Sequence, residues 1–410
     1  MDHQIKEYEK EDKKFFYIFL GIAFLIWLAT IFSLAEEKIL YVDEGVHIAQ
    51  INLFLKGETS LDPKLTLIPG YHFLVAGIYR TIGWIIPEKI IAFRLISLVL
   101  SLVSIYMFYL FSKRNNIKDY LLRTLQYVFL PISFFYFPLI YTDIVSLFLI
   151  LAAFYMADSK RYGWSAIFSF ASILVRQNNV VWVAFFWLYI YLMENNLSFS
   201  IKSVIAHIRR TWGYLVAFIF FLLFVWINKG LAIGDREMHQ FGFYMGNIYF
   251  FFGLISVLFL PIFIRRMFSF KKIEKIDIIG IIIGAILGIL FICFRPSLHY
   301  YNFLPHFLRN NILQSAYYQY PYLYGLAIWI GAVTLFSIRF EKTWFLIFPF
   351  IVIYLIPSFL VDQRYSIIPI TFLLLFRKEL NPKIEFTLFF YFFLLLWLLL
   401  YMVFQLGISF

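Results

Sequence analysis

Pro69-Gly70-Tyr71-His72-Phe73-Leu74-Val75-Ala76-Gly77-Ile78-Tyr79-Arg80 is apolar enough to be read as a membrane span, yet it is short and carries His72 and Arg80. The choice matters because every later loop changes side with it. Lys and Arg favour cytoplasmic loops, so their distribution decides. With 70–86 read as an interfacial helix, the loops 1–14, 113–123, 158–162, 195–210, 265–275, 339–342 and 377–384 fall on the cytoplasmic side. Together they hold about two thirds of the 35 Lys and Arg residues. Reading the segment as a span instead puts most basic loops outside. It is therefore assigned to the far surface, within one lumenal or extracellular loop at 35–89.

Composition sets the frame for that choice. The 410 residues are 62% hydrophobic and 14% charged, whereas soluble domains carry about 25% charge. This predicts an all-α polytopic membrane protein, with the whole chain, 1–410, as a single transmembrane domain. A span needs roughly 20 apolar residues, fewer where neighbours bury its ends. Segments near 15–34, 90–112, 120–137, 142–157, 163–175, 180–193, 211–228, 247–264, 277–294, 319–338, 343–359, 365–376 and 385–407 qualify, about thirteen in all. The first follows a polar, acidic stretch unlike a signal peptide, so it is expected to stay as a helix with a cytoplasmic N-terminus. The net charge of +11 is a matter of loop placement here, and no nucleic-acid partner is expected. The one cysteine, Cys293, excludes an intrachain disulfide framework.

The 35–89 loop opens with Tyr41-Val42-Asp43-Glu44-Gly45-Val46-His47-Ile48-Ala49-Gln50. On a helix Asp43 and His47 share a face while Glu44 points about 100° away. Backbone N–H groups at a helix start favour negative charge, which suits a general base taking a proton from a hydroxyl. The plainer alternative is that either acid caps a surface-lying helix over 42–55. Asp62-Pro63 and Pro69-Gly70 then set off a second short helix. Other polar groups fall on the same side: Asp143 after Tyr141-Thr142, Arg176-Gln177-Asn178-Asn179, Asp235-Arg236 with His239, Arg295, His299, His306, Arg309, and Arg364-Tyr365. Asp143 could cap its helix, Arg176 could snorkel, and each remaining cation could contact a lipid headgroup or pair with Asp235 or Asp362. As a set, cations on the side that basic residues avoid point to an anionic ligand, since arginine forks match phosphate oxygens. No histidine spacing indicates a metal site, and no Gly-rich phosphate loop or nucleophile elbow stands in context. No cofactor and no metal are expected. A phosphate should arrive on a lipid.

These stretches resemble the GT-C membrane glycosyltransferases, and most closely the dolichyl-phosphate-glucose α-1,2-glucosyltransferases. The likeness rests on Asp43-Glu44-x-x-His47-Ile48-x-Gln50, Asp62-Pro63 with Pro69-Gly70, Tyr141-Thr142-Asp143, Arg176-Gln177-x-Asn179-x-x-Trp182, Ile233-Gly234-Asp235-Arg236-x-x-His239, His299-Tyr300 and Arg364-Tyr365 with Pro369. They run in family order. Leu298 stands where the family pattern carries an arginine. The resemblance implies a GT-C-type fold and an inverting transfer of glucose from dolichyl-phosphate glucose to a lipid-linked oligosaccharide, forming an α-1,2 linkage. Asp43 would then be the base, with Glu44 or His47 orienting or replacing it. Arg236, His239, Arg295, His299, Arg309 and Arg364 would face the donor phosphate, and Asp143, Arg176, Gln177, Asn179, Asp235 and Tyr365 would line the cavity. The expected partners are the polyprenyl-phosphate sugar, the lipid-linked glycan and membrane lipids, in the endoplasmic reticulum of a eukaryote or otherwise a plasma membrane. A GT-C enzyme using another polyprenyl-phosphate sugar, or a transporter of lipid or solute, are the alternatives.

Overall fold

A computed structural model describes residues 2–41, 43–115, 117–236, 242–268, 274–296, 298–304, 307–340 and 345–406, with the side chains of 2–10 and 403–406 outside the description. In order the helices are α1 (Asp2–Glu36), α2 (Glu44–Leu55), α3 (Gly70–Ile82), α4 (Lys89–Arg114), α5 (Tyr120–Val128) and α6 (Thr142–Asp158). Next come α7 (Tyr162–Val175), α8 (Val180–Glu194), α9 (Ile201–Arg210), α10 (Trp212–Asn228), α11 (Gly246–Leu258) and α12 (Leu260–Phe268). The last six are α13 (Lys275–Cys293), α14 (Leu308–Gln314), α15 (Pro321–Ser337), α16 (Ile347–Leu355), α17 (Ile367–Phe376) and α18 (Pro382–Leu406). The chain is an all-α polytopic membrane protein.

Each of the thirteen apolar segments contains a helix, but the helices are unequal. Among the described residues four are long and apolar enough to cross a membrane alone: Glu11–Glu36, Lys89–Arg114, Lys275–Cys293 and Pro382–Met402. Bent pairs raise that number to at most seven. Proline accounts for much of the shortfall, because it lacks the N–H that a helix interior needs. The segment 120–137 stops being α-helical after Val128, ahead of Pro131, and resumes only as a 3-10 turn at Phe134–Tyr136. The segment 247–264 bends by 68° where α12 begins beside Pro261. The stretch 195–210, read as a loop, contains α9, whose N-terminus is capped by the Ser200 hydroxyl accepting from the Ser203 N–H at 3.1 Å.

The helices form two compact units, Met1–Asn116 with Ser133–Phe241, and Ile117–Ile132 with Gly242–Phe410. In the first, α2 and α3 pack on α4, α6 and α7 through Ile51, Tyr71, Val75, Phe93, Ile96 and Val145. The segment 70–86 is thus a short helix, α3, with one face against protein and Phe73 and Leu74 exposed. In the second, α13 meets α15 along Gly280, Gly284 and Gly288. A Cβ on Gly288 would come within 2.8 Å of the Gly325 carbonyl oxygen. Small residues let helices approach closely in lipid, where no hydrophobic force drives them together.

Candidate functional site

Asp43 stands at the head of α2, half-buried, and its side chain makes no capping hydrogen bond to the helix. Its backbone is fixed instead: the Asp43 N–H donates to the Tyr141 hydroxyl at 3.2 Å, and that hydroxyl donates to the Tyr41 carbonyl at 3.3 Å. The Asp43 carbonyl accepts the His47 N–H at 3.1 Å. The alternative of a side-chain cap is therefore not realised.

Glu44 has a different environment. It is fully buried, and so is Arg94 of α4, whose Nε and Nη2 donate to the two carboxylate oxygens at 3.1 and 2.7 Å. The backbone N–H groups of Tyr41 and Ile140 each donate to Glu44 at 3.0 Å, and Arg94 Nη2 also reaches the Ile39 carbonyl at 2.8 Å. An isolated charge at 0% exposure would be prohibitive. Paired and hydrogen-bonded at both oxygens, Glu44 ties the 39–44 loop to α4 and to the chain before α6. The expected substitute base is thus a clamp sealed from solvent. Arg94 was overlooked in the sequence, although a lone arginine in the apolar run 90–112 calls for a counter-charge.

His47 is buried on the same face of α2 as Glu44 and Gln50. Its Nδ1 lies 2.8 Å from Nε2 of His72 on α3, and the edges of Tyr71 and Tyr141 meet its ring. Tyr71 is tied to Ser97 of α4 at 2.7 Å. Burial, and after it the neighbouring His47 ring, hold the His72 imidazole well below its ordinary value, against a weaker opposing pull from the Pro69 backbone. The histidine of the acidic stretch is therefore positioned by a second histidine, His72, which in the sequence counts only against reading its segment as a span.

Most of the expected cavity residues of the first unit act as cross-ties. Arg176 is ion-paired with Asp143, so neither the cap nor the snorkel describes them. Gln177 accepts from the Ile68 N–H at 3.3 Å and donates to the carbonyls of Thr66 and Leu231, each at 2.9 Å. Asn179 donates to Ser146 at 2.7 Å and to the Ser172 carbonyl at 2.9 Å. The segment from Ile233 to Asp235 lies along the loop before α3: the N–H groups of Ile233, Gly234 and Asp235 donate to the carbonyls of Thr66, Leu65 and Pro63 at 3.2, 2.8 and 3.1 Å. A Cβ at Gly234 would sit 2.2 Å from the Pro63 oxygen, so only glycine permits that approach. Asp235 follows with φ +47°, and Arg236 is exposed, its guanidinium donating to Ile233 at 3.1 Å and Asn228 at 2.5 Å. The Gly-Asp-Arg turn therefore belongs to the unit that holds Asp43. His239 and His306 lie outside the described residues.

The remaining cations belong to the second unit. Asp362, fully buried, pairs with Arg309 of α14 and with Arg364, whose Nε donates at 2.9 Å. The Arg364 N–H also donates to Asp362 at 2.9 Å, and the Asp362 N–H donates to Asn247 at 3.2 Å. Burial pushes the Asp362 carboxyl up, but the two guanidiniums and the Arg364 N–H outweigh it and hold it at about 2. Two cations against one anion leave a net positive charge. Tyr365 continues the 3-10 turn Gln363–Ser366, half-buried, with its N–H on the Asp362 carbonyl at 3.2 Å. Arg295 is exposed and donates to the Tyr317 carbonyl, while the His299 ring lies tilted at 58° with its centroid 4.3 Å from that of Phe359 and accepts the Tyr301 N–H at 3.3 Å. Among the described residues no group of three or more His, Cys, Asp or Glu gathers as a metal-binding set.

A model of the DIE2/ALG10 family matches residues 37–198 and 189–375. The chain is 25% identical over 271 residues to a Dol-P-Glc:Glc(2)Man(9)GlcNAc(2)-PP-Dol alpha-1,2-glucosyltransferase of Rattus norvegicus, covering 54% of this chain and 57% of that protein. The proteins of the same name from Candida albicans and Drosophila melanogaster are 24% and 22% identical, over 66% and 86% of this chain and 65% and 87% of theirs. The chain spans somewhat more than half the length of the mammalian relatives it matches. No solved structure gives a significant match. With both stretches of the family model covering the Asp43 loop, the Arg176 and Arg236 turns and the Asp362 cluster, the chain belongs to the DIE2/ALG10 family.

Proposed function

We propose that this protein is an inverting glucosyltransferase that moves glucose from dolichyl-phosphate glucose to the lipid-linked oligosaccharide named in its relatives, Glc(2)Man(9)GlcNAc(2)-PP-Dol, forming an α-1,2 linkage. It works in the endoplasmic reticulum membrane with its N-terminus in the cytoplasm and its acidic loop in the lumen. In the reaction a hydroxyl oxygen of the acceptor attacks the anomeric carbon, its proton passes to Asp43, and the bond from that carbon to the phosphate oxygen breaks. Dolichyl phosphate leaves as a stable anion, which calls for cationic stabilisation more than for a strong acid. The surplus cation of the Arg309–Asp362–Arg364 cluster suits that demand, and Arg236, His239, Arg295 and His299 are further donor contacts. Asp143, Arg176, Gln177, Asn179, Asp235 and Tyr365 shape the surroundings, and His47 orients the acidic stretch.

The observation that carries the reading is the division of labour in the acidic pair. Glu44 is sealed against Arg94, so Asp43, half-buried at the head of α2 and not used as a cap, is the carboxylate of the two that a hydroxyl can reach. The test is Asp43→Asn assayed with dolichyl-phosphate glucose and the lipid-linked glycan. General-base removal lowers turnover on the order of a hundredfold to ten-thousandfold, with donor affinity and thermal stability near wild type. Turnover within a few-fold of wild type sinks the assignment.

A further inference from the structure

Within the first unit, α9 and α10 meet at Thr211 in an elbow of 82°. The two arms expose different chemistry. Along α10, Val216, Ile219, Leu223 and Trp226 are exposed at successive turns. Its 17 residues rise about 26 Å, close to the thickness of a bilayer core. The basic residues Lys202, Arg209 and Arg210 lie on α9 instead, and burying them in hydrocarbon is costly. The spanning arm is therefore α10, and the bend lays α9 along the membrane surface. Trp212, exposed at the elbow, sits at the level where tryptophan gathers in membrane proteins.

Three faces of α9 carry three kinds of side chain. One faces protein: His207 is buried with Nε2 3.1 Å from the Trp187 carbonyl, and the Ser203 hydroxyl lies 2.8 Å from that of Tyr191. Arg210 is ion-paired with Glu194 at the end of α8, which also accepts from the Tyr162 hydroxyl. The second face is apolar. Ile201 and Ile205, one turn apart, are exposed, and half-buried Ile208 continues their stripe. The third is cationic: Lys202 and Arg209, seven residues apart, share the adjoining stripe and are exposed. We propose that α9 is an interfacial helix that gathers anionic phospholipid, its isoleucines dipping between acyl chains and Lys202 and Arg209 meeting the headgroups. An apolar stripe rimmed by basic residues binds a membrane surface in this way, and the arm that leads into it already stands in lipid. On the topology proposed above this is the cytoplasmic leaflet, which carries the anionic lipids. The lipid preference itself does not depend on that topology.

The experiment places an environment-sensitive fluorophore on the full chain in lipid nanodiscs, through Ile205→Cys in a background where Cys293→Ser removes the one native thiol. Phosphatidylserine or phosphatidylcholine carrying a nitroxide high on the acyl chain is then titrated in as quencher. Both lipids should quench the label. Two cations worth about fivefold each should let phosphatidylserine reach half-quenching at about a twenty-fifth of the mole fraction that phosphatidylcholine needs. Lys202→Gln with Arg209→Gln should bring the two lipids level while both still quench, because the apolar stripe keeps the helix seated. Both residues are exposed, and an unchanged thermal midpoint checks that the variant is folded. A charge-matched control, Lys13→Gln with Lys14→Gln at the exposed head of the first span, should keep the preference. Failure of either lipid to quench means that protein covers the stripe and overturns the proposal. Equal quenching by the two lipids in the parent, a preference that survives Lys202→Gln with Arg209→Gln, or an equal loss in the control overturns it as well.

Discussion

Glu44 and Asp362 are both fully buried carboxylates held by arginine, and they differ in what surrounds the pair. Glu44 meets one guanidinium, Arg94, and both side chains are 0% exposed. Asp362 meets two, Arg309 and Arg364, which keep 10% and 16% of their side chains exposed. The first arrangement is neutral and closed; the second is cationic and reaches solvent. A buried pair whose charges cancel serves to hold chain segments together, whereas a surplus charge with an open side can serve a ligand. Sequence alone places both carboxylates beside functional candidates and cannot separate them, because the separation depends on a count of partners from distant segments.

The largest effect follows from opening the closed pair. Arg94→Met leaves Glu44 charged with no guanidinium inside the unit, and removing one partner of a buried pair costs about 3–5 kcal/mol. The thermal midpoint in detergent should drop accordingly. Adding Glu44→Gln to it should recover part of the loss, since the unpaired charge is gone and the amide oxygen still accepts one of the two N–H groups, of Tyr41 or Ile140, that Glu44 accepts on separate oxygens. Equal stability of Arg94→Met and wild type would break the distinction drawn between the two carboxylates.

A smaller and different effect belongs to the cationic cluster. Removing Arg364 by Arg364→Ala leaves Asp362 paired with Arg309, so the fold should be little affected while the surplus charge disappears. Donor binding should then weaken by about 1.5–3 kcal/mol, the range for hydrogen bonds to charged groups, read as a rise in KM for dolichyl-phosphate glucose with turnover less affected. Stability falling while KM stays fixed would make this cluster a second clamp and erase the contrast with Glu44.

How far these roles were legible can be traced residue by residue. The long apolar runs located the membrane-embedded helices, because burial in lipid leaves few sequence solutions, but not the short α9 and α14, which fall in stretches read as loops. Helix lengths were misjudged where Pro131 and Pro261 interrupt the backbone hydrogen bonds inside an otherwise apolar run. The acidic stretch stood out as charge at a membrane edge. Its internal division did not, since Arg94 lies 50 positions away from Glu44. Likewise Arg176, Gln177 and Asn179 were visible as a polar motif, but their partners Asp143, Thr66, Leu231 and Ser146 come from other segments. Ion pairs across tens of residues carry no periodic signal. A single charged residue inside an apolar helix is the one local sign they leave.

The smallest effect concerns the histidines beside the acidic pair. His47 and His72 share one hydrogen bond at 2.8 Å between Nδ1 and Nε2, which needs one N–H and one lone pair, so the two facing nitrogens cannot both be protonated without breaking it. Burial, and then His47, keep His72 neutral well below the pH at which an unfolded chain protonates its imidazole. Below about pH 6.5 the unfolded state therefore binds a proton that the folded state refuses, and stability falls with pH by up to about 1.4 kcal/mol per unit for this one group. Above that pH the contribution is flat. Thermal unfolding between about pH 7.5 and about pH 5 should show the slope in wild type, and His72→Gln should reduce it by one proton's worth with little change at neutral pH. If the slope persists undiminished in His72→Gln, another group takes up the proton, and the pair is then a packing contact only.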